Sequence, residues 1–173
     1  MSGPKIDAAE LARREKERLE RERRIRLENI KRAMARYRKI TDDIQNSINE
    51  IHSVSQYYTK ESAEYMEIRQ HRQQVETSEK TSTQGLMRLI RTEIPSEPED
   101  IEKWCDQLMM EKEKLVRQYN TGTENARNRM DQFFESIHRQ EKLSEISSQT
   151  TTCSSIRHFG MQQWPLVLWQ FSQ

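Results

Sequence analysis

Four histidines (His52, His71, His138 and His158) and two cysteines (Cys105 and Cys153) are the side chains of this 173-residue chain best suited to ligating a metal or attacking a substrate. Their spacing supports neither role. No HxxxH pair occurs, and neither cysteine stands two to four residues from a histidine, so no helical turn or loop gathers a ligand set. Cys105 follows Trp104 and has no nearby histidine to draw off its proton; it reads as a packed thiol rather than a nucleophile. Four scattered glycines build no phosphate-cradling loop. Carboxylates abound, yet on charge-rich helices they stay solvated, and nothing desolvates one of a pair to split their pKa values. The sequence predicts a non-enzymatic protein with no catalytic residue, no metal site and no cofactor.

Charge is the chemistry that remains. Residues 1–39 hold 14 Lys/Arg against 7 Asp/Glu, while the remaining 134 hold 15 against 21. Arg14, Arg18, Arg21, Arg24, Arg32 and Arg36 are the candidates for contacting phosphates, which makes nucleic-acid binding through residues 13–39 the alternative function. A basic helix running into a heptad seam is similar in layout to zipper-type DNA-binding proteins, with Asn29 and Ala33 in suggestive places. Arg36 and Tyr37 depart from that pattern, and the seam is not led by leucine. Six glutamates threaded through the basic helix, from Glu10 to Glu28, favour a charge-paired, solvated helix. Glu10 with Arg14, Glu17 with Arg21, Glu20 with Arg24, Glu22 with Arg26 and Glu28 with Arg32 are acid-then-base pairs four apart, each stabilising a helix by roughly 0.2–0.5 kcal/mol.

Composition sets the kind of element that carries these charges. Leu, Ile, Val and Phe total 32 residues, about 18%, below the roughly 20% of a packed globule. A net charge of +1, with one residue in three charged and few Gly or Pro, describes long helices that bury a stripe and wet the rest. Steps of four and three through Ile30, Met34, Tyr37, Thr41, Ile44, Ile48, Ile51, Ser55, Tyr58, Ser62 and Tyr65 make a heptad seam over residues 30–65. The same rhythm returns in Ile101, Trp104, Leu108, Lys112, Leu115 and Tyr119, then in Ala126, Met130, Phe133 and Ile137. The apolar members of both seams are the expected helix–helix interface.

Boundaries follow from punctuation. Residues 1–79 read as one long helix, with its charge-paired basic part over 7–39. The Ser/Thr-rich run 77–85, ending in Gly85, predicts a break, and residues 80–95 a breaker with a short helix. Ser96-Glu97-Pro98-Glu99 combines a cap, a capping-box acid and a first-turn proline, so a second coiled-coil helix is expected over 96–147, starting at Ser96, with Asn120-Thr121-Gly122 as an interruption. Eight Ser/Thr in residues 144–155 read as a flexible linker, so 148–173 is expected to be linker and tail. The tail, 156–173, carries one charge, Arg157, beside Phe159, Trp164, Trp169 and Phe171. It reads as a docking motif, as a segment covering the chain's own seam or resting on a membrane surface, or as the product of a truncation or frameshift.

The expected fold is all-α: a long-helix coiled coil, an antiparallel helical hairpin with an extended basic N-terminal helix and a disordered C-terminal tail. The expected function is that of a scaffold, spacer or adaptor acting by helix–helix association. Two seams alone bury little area against the backbone entropy of two long helices, so a second copy or another coiled-coil protein is the expected partner. Residues 1–10 lack an apolar signal core and no run of about 18 apolar residues occurs, which predicts no transmembrane segment and a cytoplasmic protein. Two unpaired cysteines suit that reducing setting.

Overall fold

The structure, a computed structural model, describes the backbone of residues 7–161 and side chains through residue 151. The chain is all-α, with no strand among the described residues. Three helices follow one another: α1 (Ala8–Glu61), α2 (Arg69–Arg91) and α3 (Pro98–Met161). Compactness divides the chain into one unit through Ala126 and a second from Arg127.

Within the first unit, side-chain contacts fix the helix directions. His52 of α1 meets Glu79 of α2 at 2.7 Å, after the chain has turned back at residues 62–68, so these helices are antiparallel. Partners on α1 and α3 rise together in number: Arg26 with Glu97, Arg36 with Glu102 and Asp106, Ser55 with Tyr119. Those two helices are therefore parallel. The expected antiparallel hairpin between the seams at 30–65 and 101–137 gives way to a three-helix arrangement in which α2 is the antiparallel member. The reason is parity: an added helix reverses the chain a second time.

The breaks fall elsewhere than the Ser/Thr and Gly punctuation predicts. In the 77–85 run, Thr77, Thr81 and Thr83 donate their hydroxyls to the carbonyls of Gln73, Thr77 and Glu79 four residues back, at 2.7–2.9 Å, and the helix continues. Gly85 lies inside α2 because Leu115 of α3 packs there; a Cβ would stand 2.9 Å from Leu115 Cδ2. The chain instead turns at residues 62–65, with neither Gly nor Pro. Ser62 N bonds Tyr58 O, Ala63 N tightens onto Lys60 O, and Tyr65 N closes onto Ser62 O. Arg72 also donates to that Ser62 carbonyl, satisfying a helix-end acceptor with a side chain from the next helix.

α3 opens at Pro98, two residues later than Ser96. Ile101 N donates to Glu97 O at 2.9 Å, which puts Glu97 in the capping place and Pro98 at the first helical position. Gly122 does not interrupt the helix, and its carbonyl accepts a 2.8 Å bond from Gln74 of α2. The expected linker at 144–155 is also helical: Ser148, Thr150 and Thr151 bond back to the carbonyls of Glu145, Ile146 and Ser147. Of the tail, residues 162–173 lie outside the described residues, as do the side chains of 152–161.

The core of the first unit is built by Ala33, Tyr37, Ile40, Ile44 and Ile51 of α1, Leu86 of α2, and Ile101, Cys105, Leu108 and Tyr119 of α3. Ser55 and Ser62 are small heptad positions, and both are fully buried. Ser55 meets the Tyr119 hydroxyl at 2.7 Å, so the polar gap in one seam holds the polar tip from the other. In the second unit Met130 is buried, Phe133, Phe134 and Ile137 are half-buried, and residues 138–151 are exposed.

Candidate interaction surfaces

Interior and exterior separate cleanly along α1. All sixteen expected seam residues are at least half-buried: Tyr37, Ile44, Ile51, Ile101, Leu108, Tyr119 and Met130 are buried, while Ile30, Met34, Ile48, Tyr58, Tyr65, Trp104, Leu115, Phe133 and Ile137 are intermediate. In the first unit these side chains are covered from within the chain. The cover that the two seams lacked comes from α2, through Ile68 just before it and Val75, Ser82 and Leu86 along it. A signal for this stripe exists in the sequence: Ile68, Val75, Ser82 and Leu89 recur every seven residues, diluted by one serine.

Upstream of the core α1 carries no such stripe. Residues 11–29 are exposed throughout, and Leu11, Leu19, Ile25 and Leu27 each keep at least half their surface in water. Of the five expected acid–base pairs, Glu10 with Arg14 closes, at 2.6 Å. Arg13 approaches Glu17 at 3.9 Å, and Arg18 sits between Glu15 and Glu22 at 2.8 and 3.8 Å. Arg26 leaves its own helix for Glu97, at 2.8 and 2.9 Å from the two carboxylate oxygens.

The six candidate phosphate-contacting arginines part company here. Arg36 is forked between Glu102 and Asp106, and also donates to the Glu102 carbonyl at 3.3 Å. The hydrogen bonds it donates to Asp106 and then to Glu102 raise its pKa still further above its ordinary value, so it is a permanent cation committed to α3. Arg14 and Arg18 are engaged with glutamates of their own helix. Arg21, Arg24 and Arg32 make no ion pair among the described residues. The acids at the start of α3 suit the positive end of its dipole, and Glu97, Glu102 and Asp106 also clamp α1. Sequence spacing could not reveal that second task, because the partners lie some seventy positions apart.

The residues with ligating or nucleophilic chemistry stay dispersed. His52 pairs with Glu79, His71 is half-buried, His138 is exposed, and the His158 and Cys153 side chains lie outside the described residues. Among the described residues no group of three or more His, Cys, Asp or Glu side chains could hold a metal ion. Cys105 is fully buried, and burial pushes its thiol pKa up. The clefts beside α1 and α3, such as that between Asn29, Arg32, Pro98, Glu99 and Glu102, are shallow grooves along helix surfaces. No described helix is long and apolar enough to cross a membrane. No protein-family model, curated protein or solved structure matches this chain.

Proposed function

We propose that the protein is a non-enzymatic helical scaffold that acts by helix–helix association, using helix surface that its own bundle leaves uncovered. The observation that carries this reading is the outer part of α1. It runs for about seven turns before the first core residue, Ala33, and its four large apolar side chains stand in water. Isolated helices hold poorly on propensity and ion pairs alone. A second helix laid along this one would cover Leu11, Leu19 and Ile25 and strengthen the pairs beside them. The first partner to test is a second copy of the chain.

Light scattering on the intact chain from about 1 to about 100 μM reads this directly, because association follows mass action. The expected mass exceeds the 20.8 kDa of one chain and rises with concentration. Replacing Leu11, Leu19 and Ile25 together by serine should return it to one chain without loss of the core. A one-chain mass at every concentration would overturn the reading.

A further inference from the structure

We propose that the solvent side of α1 over residues 21–39 is a phosphate-tracking stripe that binds the backbone of duplex nucleic acid. Arg24, Lys31 and Arg38 recur every seven residues, about 10 Å apart along one row of the helix, on the side turned away from Ala33, Tyr37 and Ile40. Arg21 and Lys39 flank the row. All five are exposed and make no ion pair among the described residues. The same helix supplies its own contrast. Residues 8–23 interleave six Lys/Arg with five glutamates, whereas residues 24–39 hold seven Lys/Arg and a single acid, Glu28. The acids of α3 neutralise the inner edge of this second stretch at Arg26 and Arg36, and Arg32 borders Glu99 and Glu102. The outer row makes no ion pair among the described residues, with Glu20 and Glu28 one turn to either side of Arg24 and Asp42 one turn beyond Arg38.

A straight row of cations on a rigid helix complements a linear polyanion. It does not complement a lipid surface, which needs an apolar face beside the basic one. Beside this row stand Glu28 and Ala35 on one side and Leu27 on the other, a single exposed apolar side chain rather than a continuous apolar face.

The test is fluorescence anisotropy of a short labelled DNA duplex with the intact chain, from 50 to 200 mM salt. Five phosphate contacts give a log–log salt slope of about −4.5, so affinity should fall roughly 500-fold over that range. Changing Lys31, Arg38 and Lys39 together to glutamine should flatten the slope by about 2.7. Should that variant lose helix by circular dichroism, Arg24→Gln alone should flatten it by about 0.9. No binding at the lowest salt would overturn the proposal. So would a slope indifferent to these substitutions, or capture by phosphatidylserine vesicles with the duplex ignored.

Discussion

Replacing Gly122 by alanine should stabilise this protein, while the same change at Gly85 should not. Both glycines sit inside helices, where alanine is favoured by about 0.8–1.0 kcal/mol. At Gly122 a new Cβ meets Ser78 Oγ at 3.6 Å, an ordinary contact, and the carbonyl that accepts from Gln74 is untouched. The full gain of about 0.5–1 kcal/mol should appear, a rise of roughly 1–4 °C in Tm for a chain of this size. At Gly85 the new Cβ stands 2.9 and 3.1 Å from the two methyls of Leu115. Leu115 is half-buried, so its branch can swing aside, but overpacking costs about 1–3 kcal/mol and cancels or exceeds the gain. The net expectation is between zero and about 2 kcal/mol of destabilisation. Trimming Leu115 to alanine in the Gly85→Ala background should remove the clash, so the pair should couple favourably in a double-mutant cycle. Urea unfolding of the intact chain reads all four proteins. The packing argument fails if Gly122→Ala lowers stability, or if Gly85→Ala gains as much as Gly122→Ala.

Three further expectations rest on the core. Ser55→Ala and Tyr119→Phe should each cost about 1–2 kcal/mol by breaking a buried hydroxyl pair, while the double variant costs clearly less than their sum; strict additivity would mean the 2.7 Å contact contributes nothing. Burial raises the Cys105 thiol above its ordinary 9.0 and the Tyr37 phenol above 10.0, so the folded chain holds both protons more tightly than the unfolded one. Their contribution is complete below pH 9.0 and erodes as pH climbs beyond it. Alkaline unfolding should therefore be blunted in a Cys105→Ala, Tyr37→Phe variant, and an unchanged alkaline limb would count against it. In a Cys153→Ser background a thiol reagent should label Cys105 only as the chain unfolds, and prompt labelling of the folded protein would contradict its burial.

Much of the architecture is local and therefore visible in the residue order. Apolar side chains every three or four positions mark a helix face whichever element they pack against, and all sixteen seam residues are at least half-buried. The poverty of Gly and Pro and the balanced charge predict long helices for the same local reason. Ser/Thr runs misled because a hydroxyl that can open a turn can equally bond back to the carbonyl four residues earlier, and neighbouring helices decide which happens.

The sequence by itself determined that this chain is helical, which faces are apolar and where positive charge collects. Tertiary structure alone decided how many helices share the core, which run parallel, and which arginines are spent. Those outcomes hang on one turn at residues 62–65, held by Arg72 from the following helix, and on ion pairs joining residues about seventy positions apart. Neither has a local signature, because the free energy that selects them arises only when distant segments meet.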